Sequence, residues 1–343
     1  MEFTDIRAPE PVQGIPPWQD PAWVAGAEDW IAAGCARAGL ARTGTALARA
    51  RSYSVVVRVP TSGGTLWFKA SAPPASFEPA LISALADWFP YQFPAPVAVD
   101  LDRAWSLTRD GGPTLAQARA RAEDLSAWHA MLRGYARLQF DLAAHAGDLL
   151  SLGLPDLRPG SVPARYDKLL ADPATERAVG ATDGVTVAQY QELRALAPPL
   201  RDWCAELDEL AIPASLDHAD VHPNNVFAAA NNPFDWGDAA VAHPFCSLLT
   251  ALRTGARHAG LPPRSPELAA LTGDYLTPWL DAGHPRAVVD RSVSLALRIA
   301  PLSRALAWGR VFPCYLGHAG PAGHAIRSLA AMLEPGPVPP GIV

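Results

Sequence analysis

Several short strand-like runs of apolar residues lie between residues 54 and 109, whereas many apolar residues after residue 113 recur at helical spacing, and this difference limits the folds that the chain can adopt. Residues 54–59 form a β-branched run, and a turn at residues 61–64 separates them from a second apolar run at residues 65–69. Short apolar runs bounded by turn residues are typical of strands, so we expect a hairpin here. Residues 96–101 and 105–109 have the same character and predict a second hairpin.

Helical spacing begins after a break at residues 110–113. Apolar side chains recur there at steps of three and four, which predicts an amphipathic helix; they are Leu125, Trp128, Leu132, Tyr135, Leu138 and Leu142. Residues 114–211 and 245–333 are predicted to be mainly helical. The sequence therefore indicates an α+β chain with two domains, a small β-rich one at residues 1–110 and a larger, mainly helical one at residues 111–343.

Two further local predictions concern a helix and the chain ends. Residues 77–88 have helical spacing, and Ser76 is a candidate cap for this helix. Residues 9–21 and 335–340 are rich in proline and are expected to form extended arms rather than regular helix.

The composition is that of a globular protein. Of the 343 residues, 49% are apolar and 18% are charged, and the formal net charge is −6. These values argue against a disordered chain and against a general nucleic-acid binder. The acidic start has no apolar core of a signal peptide, and no uninterrupted apolar run is long enough for a membrane span. We expect a cytoplasmic protein without a membrane partner, with isolated cysteines that are buried thiols: Cys35, Cys204, Cys246 and Cys314.

An irregular segment between the two helical regions, residues 213–245, concentrates the side chains that can carry chemistry. It contains LDHADVHPNNV from Leu216 onward, then a turn predicted at residues 231–233, and then FDWGD. Asn225 and Asp235 lie symmetrically about residue 230, so a tight hairpin would bring them face to face. An amide oxygen and a carboxylate are the hard ligands that Mg²⁺ takes beside phosphate oxygens.

This pattern resembles the catalytic loop of the aminoglycoside phosphotransferase/choline kinase family, a branch of the protein-kinase-like fold. The matching residues are His218-x-Asp220-x-x-x-x-Asn225, followed ten residues later by Asp235. The resemblance implies that Asp220 is the catalytic base and that Asn225 and Asp235 bind Mg²⁺. It also implies that His218 braces the loop and that His222 stands where a catalytic-loop lysine would touch the γ-phosphate.

The upstream domain fits the same resemblance, which extends over roughly residues 50–315. The chain has only two lysines, and Lys69, on the second predicted strand, resembles the lysine that pairs with phosphates. Glu78, at the head of the next helix, resembles its carboxylate partner. No Gly-rich loop precedes the first strand. The remaining residues implied to bind ATP or GTP are Ser52 and Ser54 in the loop before that strand, and Thr108, Arg109 and Asp110 at the hinge.

The implied activity is phosphate transfer to a small molecule within a two-lobed fold, a small β-rich N-lobe and a larger helical C-lobe. The family allows an aminoglycoside or other antibiotic, an amino alcohol, a sugar or homoserine as acceptor, and the mild acidity favours a cationic one. The protein is expected to be a monomer or a homodimer. Two alternatives remain open: a metal-dependent hydrolase that uses His218, Asp220 and His222, and a catalytically inactive nucleotide-binding module.

Three other features have competing interpretations. Asp238 would either bind substrate or cap the next helix. Trp308, which lies between Arg304 and Arg310, would either stack on a ligand ring or belong to the core. The residues 243–245, His-Pro-Phe, are expected to form a packed turn rather than a site.

Overall fold

The computed structural model describes residues 1–7, 17–118, 125–310 and 320–334. The chain divides into two compact units. Unit 1 contains Met1–Gly111 and Gly309–Pro321, and unit 2 contains Gly112–Trp308 and Ala322–Val343. Cys314 and most of the two proline-rich arms lie outside the described residues, so the predictions about them stay predictions. Cys35, Cys204 and Cys246 are buried free thiols, as expected.

Unit 1 is built on one mixed sheet with strand order β1-β2-β3-β4-β6-β5. The strands are β1 (Glu2–Arg7), β2 (Leu47–Arg51), β3 (Ser54–Thr61), β4 (Gly64–Ser71), β5 (Ala98–Asp100) and β6 (Trp105–Arg109). β1 pairs in parallel with β2, and all other neighbours are antiparallel. Both predicted hairpins are therefore present, and the turn of the first needs Gly64, whose φ is +101°.

Two helices belong to unit 1, α1 (Pro21–Arg37) and α2 (Glu78–Trp88). On β4, Leu66, Phe68 and Ala70 are buried and alternate with partly exposed residues, so one face of the sheet forms the core. Trp23 and Trp30 of α1 pack on Phe68 and on Trp105 of β6, in a tilted contact between Trp23 and Phe68 and edge-to-face contacts otherwise. This aromatic cluster joins α1 to the sheet.

Three elements of unit 1 were not predicted, and one prediction for it is wrong. β1, α1 and β2 begin before residue 50, where the sequence predicted no strand or helix. Ser76 does not cap α2. The chain enters α2 directly from a 3₁₀ turn at Pro73–Ala75, so Ser76 already has helical backbone angles, and the cap residue is Phe77, whose side chain makes no capping hydrogen bond.

Unit 2 is mainly helical, and the last helix described begins two residues before its second segment. The helices are α3 (Leu115–Ala118), α4 (Ser126–Leu142), α5 (Ala146–Ser151), α6 (Val162–Leu170), α7 (Pro173–Ala178), α8 (Val187–Ala195), α9 (Ala197–Glu209), α10 (Leu248–Ala259), α11 (Pro266–Asp281), α12 (Arg286–Ile299), α13 (Pro301–Ala307) and α14 (Gly320–Ala330). The predicted stripe on α4 is buried from Trp128 to Leu142. No helix in the described part of the chain is both long and apolar enough to cross a bilayer.

Short strands of unit 2 hold the irregular segment in place. They are β7 (Asp156–Leu157), β8 (Ser215–Asp217), β9 (Val226–Phe227), β10 (Asn232–Pro233) and β11 (Ala240–Ala242). β11 lies between β7 and β8, and β9 pairs with β10. The segment from Asp217 to Ala240 thus leaves a small sheet at β8, forms a hairpin, and returns to the same sheet at β11.

Candidate functional site

The hairpin formed by β9 and β10 sets the position of Asn225 and Asp235. Phe227 pairs with Asn232 and Val226 with Pro233, and the Phe234 N–H donates to the Asn225 carbonyl at 2.9 Å. Asn225 therefore lies opposite Phe234, one residue before the predicted partner Asp235. The predicted turn at 231–233 is also wrong, because Asn232 and Pro233 are strand residues and the reversal lies earlier.

Asp220 follows a tight three-residue turn. Its backbone N–H donates to the His218 carbonyl at 2.7 Å, and the residue between them, Ala219, has a φ of +59°. A turn closed in this way over a residue with positive φ is rare and strained, and such strain persists only where the surroundings enforce it. The turn lifts Asp220 out of the buried strand that precedes it, so its side chain is partly exposed.

Buried hydrogen bonds hold that turn. Asp217, which is 1% exposed, accepts from the Ala219 N–H at 2.9 Å, from the Ser247 hydroxyl at 2.6 Å and from the Ser303 hydroxyl at 3.0 Å. The Tyr135 hydroxyl accepts the His218 N–H at 2.9 Å. The backbone of the loop is therefore fixed by side chains from three other parts of unit 2.

His218 connects the two arms of the segment. It is fully buried, its Nε2 lies 2.9 Å from the Phe234 carbonyl, and its ring contacts that of Trp236 at 4.6 Å. A carbonyl can only accept, so Nε2 carries the proton. Its Nδ1 has no hydrogen-bond partner among the described residues. This geometry suits the bracing role that the resemblance implies.

The side chain of Asn225 is oriented by the loop that carries Asp220. Asn225 is nearly buried, and its Nδ2 donates to the Asp220 carbonyl at 3.1 Å. This contact uses one of the amide's two N–H donors and leaves Oδ1 as the atom for a cation. Asp235 is exposed at a backbone φ of +66°, directly after the residue that pairs with Asn225. Both side chains offer hard oxygen atoms, so the donor set fits Mg²⁺.

Charged groups surround the Asp220 carboxylate. His222 Nε2 lies 3.5 Å from its Oδ2, and Arg304 Nη1 on α13 lies 3.4 Å from its Oδ1. Burial raises the pKa of Asp220, but the contact with His222 and the charge of Arg304 outweigh it, so that pKa is lowered overall. Asp220 is thus held as a carboxylate. The same Arg304 atom lies 2.6 Å from Asp238 Oδ2, so Asp238 forms an ion pair rather than capping a helix.

The hydrolase alternative requires His218, Asp220 and His222 to converge on one metal ion, and one ring nitrogen of each histidine is already engaged. His218 Nε2 is engaged with a carbonyl, and His222 Nδ1 accepts the Asn224 N–H at 3.2 Å. Within the residues that the structure describes, no group of three His, Cys, Asp or Glu side chains is placed to hold a metal ion.

Unit 1 contains a second cluster of polar residues. Lys69 Nζ on β4 lies 2.8 Å from Glu78 Oε1, and the Ser71 hydroxyl donates to the other oxygen of Glu78, also at 2.8 Å. Glu78 is only 4% exposed and is the first residue of α2, where the helix N-terminus favours a negative charge. The lysine and the glutamate assigned by resemblance are therefore in direct contact.

The fold is shared with solved small-molecule kinases, although the sequence matches no protein-family profile and no curated protein sequence. A choline/ethanolamine kinase family protein from Mesorhizobium loti superposes with a TM-score of 0.55 at 16% identity, over 91% of this chain and 95% of that one. An ethanolamine kinase from Plasmodium vivax superposes with a TM-score of 0.53 at 13% identity, over 86% and 83%. A candidate aminoglycoside phosphotransferase from Ralstonia eutropha gives 0.51 at 15% identity, over 89% and 96%.

The chain has the aminoglycoside phosphotransferase/choline kinase fold. The predicted α+β, two-lobed, kinase-like architecture is thereby confirmed, with unit 1 as the N-lobe and unit 2 as the C-lobe.

The other N-lobe residues assigned to nucleotide binding have different exposures. Ser52 and Ser54 flank the turn between β2 and β3 and are buried, whereas Tyr53 at the tip is exposed. Thr108 and Arg109 end β6, and the Asp110 N–H donates to the Thr65 carbonyl of β4 at 3.1 Å. Their roles stay predictions, which rest on the kinase-like fold.

Two C-lobe features have structural explanations. His243, fully buried, begins a packed turn and contacts Phe245 ring to ring, and burial lowers its pKa to about 3. This agrees with the packed turn that we expected. The Trp308 ring stacks on His324 at 4.4 Å, so one of its faces is already covered.

Sequence reasoning missed the contacts that Arg304 and Asp217 make in the site. The sequence places Arg304 beside Trp308 and Asp217 within the LDHADVHPNNV segment, and neither position by itself indicates these contacts. The signal for Asp217 was its place in the strand directly before the catalytic loop, where a buried carboxylate requires hydrogen-bond donors. Arg304 lies on a helix far along the chain, and no local pattern connects it with Asp220.

Proposed function

We propose that the protein is a magnesium-dependent small-molecule kinase, which transfers the γ-phosphate of ATP or GTP to a hydroxyl group. The observation that carries this proposal is the C-lobe loop, in which one strained turn and one hairpin gather Asp220, Asn225 and Asp235. A carboxylate beside two oxygen ligands for a cation is the arrangement that phosphate transfer requires. The shared fold with small-molecule kinases supports the proposal independently of these residues.

Asn225 and Asp235 would hold Mg²⁺, which when bound supplies positive charge to the phosphate oxygens. The chain's own contribution is the placement of these ligands. The hydrogen bond from Asn225 to the Asp220 carbonyl orients the amide, and in the hairpin Asp235 directly follows Phe234, the backbone partner of Asn225. His218 maintains this spacing, because it joins the backbone at Phe234 to the start of the loop.

Asp220 is the proposed base. The acceptor oxygen forms a bond to the γ-phosphorus, the bond from that phosphorus to the bridging oxygen breaks, and the acceptor's proton passes to Asp220. A lowered pKa keeps this carboxylate ionised and ready to accept a hydrogen bond from the hydroxyl. His222, at 3.5 Å, orients the carboxylate and is the candidate for contact with the γ-phosphate.

Lys69 and Glu78 are the proposed nucleotide-binding pair of the N-lobe. Glu78 is held by Ser71 as well as by Lys69, so the ammonium group is positioned without relying on a flexible surface contact. Lysine is a compact charge that suits contact with phosphate oxygens. Ser52, Ser54, Thr108, Arg109 and Asp110 complete the proposed nucleotide site.

The proposed acceptor is a small hydroxylated molecule, and an aminoglycoside-like compound is the first candidate. The net charge of −6 supports a cationic acceptor, and one of the similar structures is described as a candidate aminoglycoside phosphotransferase. We propose that the protein acts in the cytoplasm as a monomer or a homodimer. The test is a screen of aminoglycosides, amino alcohols, sugars and homoserine for acceptor-dependent release of ADP or GDP.

Two variants test the assignment of the carboxylates. Asp220→Ala should lower kcat by roughly 10²–10⁴-fold while Mg–ATP still binds, because a general base acts mainly in the transition state. Asp235→Ala should weaken both Mg–ATP binding and turnover, because it removes a proposed metal ligand. If Asp220→Ala keeps more than about a tenth of the rate, the base lies elsewhere. If it loses Mg–ATP as severely as Asp235→Ala, Asp220 is a metal ligand.

A further inference from the structure

Four charged or titratable side chains form a row in the C-lobe: Asp238, Arg304, Asp220 and His222. Arg304 Nη1 stands between the two carboxylates, 2.6 Å from Asp238 Oδ2 and 3.4 Å from Asp220 Oδ1. The row continues to His222 Nε2, 3.5 Å from Asp220 Oδ2. Arg304 lies on α13, where the neighbouring side chains Leu302 and Ala305 are buried and hold the helix in place.

The two contacts of Arg304 differ in strength. Charge-assisted N–H···O hydrogen bonds span roughly 2.7–2.9 Å, and an interaction weakens towards 3.5 Å. Arg304 is therefore committed to Asp238 and only close to Asp220. His222 is equally distant from the other oxygen of Asp220, so neither neighbour has taken a close contact with that carboxylate. Its lone pairs remain available for an incoming hydroxyl.

We infer that Asp238 is a positioning residue, which holds Arg304 away from Asp220 and so keeps the proposed base open. The description of Asp220 as a base rests on the proposed function, whereas the position of Arg304 between Asp238 and Asp220 is independent of it. If the Asp238 carboxylate is lost, Asp220 is the nearest anion that Arg304 contacts. A movement of roughly 0.6 Å would then bring Arg304 Nη1 to a normal hydrogen-bond distance from Asp220 Oδ1. The oxygen would be occupied, and the hydroxyl could not use it.

This inference differs from a direct role of Asp238 in binding substrate or metal. A direct role predicts that loss of Asp238 is harmful whether or not Arg304 is present. A positioning role predicts that the harm comes through Arg304 and disappears with it. The two roles are separated by a double-mutant cycle, in which coupled residues give non-additive effects.

The kinetic experiment uses water as the acceptor, so it requires no knowledge of the natural substrate. Release of inorganic phosphate from Mg–ATP is measured for the wild type, Asp238→Asn, Arg304→Gln and the double variant. Asp238→Asn should lower kcat by about tenfold or more with little change in KM for Mg–ATP, since blocking a base removes part of its roughly 10²–10⁴-fold effect. Arg304→Gln should stay within about threefold of the wild type, and the double variant should return to the rate of Arg304→Gln.

Controls identify effects that are merely structural. Asp238→Glu keeps the anchoring charge and should retain most of the rate. Arg291→Gln breaks an ion pair with Glu206 elsewhere in the C-lobe, at side-chain exposures of 49% and 36%, and should leave the rate unchanged. A double variant as slow as Asp238→Asn, or an Arg304→Gln variant that is equally slow, would overturn the inference.

A crystal structure of Asp238→Asn provides a readout that does not depend on activity. The distance from Arg304 Nη1 to Asp220 Oδ1 should shorten from 3.4 Å to about 2.8 Å. A distance that stays at its present value refutes the positioning role, even for an active enzyme. If the wild type neither transfers nor releases phosphate, the proposed function fails, while a shortened distance would still support the placement of Arg304 by Asp238.

Discussion

Asp217 provides the most direct test of how the proposed catalytic loop is held. Its carboxylate is buried and accepts three hydrogen bonds, from the Ala219 N–H and from the hydroxyls of Ser247 and Ser303. The N–H and the Ser247 hydroxyl share Oδ1, and the Ser303 hydroxyl uses Oδ2. We consider two substitutions, Asp217→Ala, which removes both oxygens, and Asp217→Asn, which replaces one of them with NH₂.

The expected loss of stability follows from the donors that each substitution leaves without a partner. In Asp217→Ala the Ala219 N–H and the Ser303 hydroxyl lose their acceptor, whereas the Ser247 hydroxyl can turn towards the Tyr135 oxygen, 3.1 Å away. A buried unsatisfied group costs about 1–3 kcal/mol, so the loss of two acceptors should lower the free energy of unfolding by about 2–6 kcal/mol. In Asp217→Asn the amide oxygen keeps both Oδ1 contacts and the NH₂ group can donate to Ser303, so the loss should stay below about 1.5 kcal/mol.

Urea denaturation measures the difference in the free energy of unfolding between the two variants. Unfolding is monitored by both tryptophan fluorescence and far-ultraviolet circular dichroism, because agreement between the two signals checks that it is two-state. Turnover should follow stability, since the strained turn at Ala219 would relax and displace Asp220. If Asp217→Ala costs less than about 1 kcal/mol, or if Asp217→Asn destabilises as strongly as Asp217→Ala, the hydrogen bonds do not hold the loop.

Three further predictions concern the nucleotide, the metal and the acceptor. Lys69→Ala should reduce turnover strongly, whereas Lys168→Ala, which alters the other lysine of the chain, should not; near-normal turnover of Lys69→Ala would remove it from the nucleotide site. Activity should require Mg²⁺ or Mn²⁺, and Zn²⁺ should not substitute, because Asn225 and Asp235 offer oxygen ligands. Stoichiometric zinc in the purified protein would contradict a magnesium site. The acceptor should be a small molecule and not a peptide, because residues 236–244 are too few for a peptide-docking segment. Efficient phosphorylation of Ser or Thr peptides without activity on small alcohols would refute the small-molecule acceptor.

Local sequence patterns were sufficient where neighbours in the chain determine the structure. The β3–β4 hairpin pairs adjacent strands across a short turn, and α4 buries one stripe of its own surface, so periodicity alone predicted both. The order of His218, Asp220, Asn225 and Asp235 could be read for the same reason, since all of them lie on one continuous segment. Its hairpin register was misplaced by one residue, because symmetry about residue 230 takes no account of where β9 and β10 begin to pair.

β1 and α1 of the N-lobe were missed because long-range pairing and a proline-rich composition hide local signals. β1 pairs with β2 across α1, and the partner of Glu2 is Leu47, far beyond the reach of a local pattern. The start of α1 did carry a local signal: the Asp20 side chain accepts from the N–H groups of Ala22 and Trp23, and Pro21 occupies the first helical position. The proline-rich composition of residues 9–21 obscured this signal, because proline both begins helices and interrupts them.

The contacts around Asp220 show why a motif does not describe a site completely. The motif supplies the proposed reacting groups, but Asp220 and the neighbouring Asp217 are also contacted by Arg304, Ser247 and Ser303, which reach the loop from later helices or the turn before them. Side chains on separate elements meet only after the C-lobe has packed, so their spacing in the sequence carries no information. The same packing makes the site cooperative: the buried carboxylate of Asp217 requires donors, the donors fix the turn, and the turn places Asp220 beside Arg304. A substitution of Asp217, Ser247 or Ser303 should therefore disturb Asp220 without touching it, and coupling between pairs of variants measures this directly.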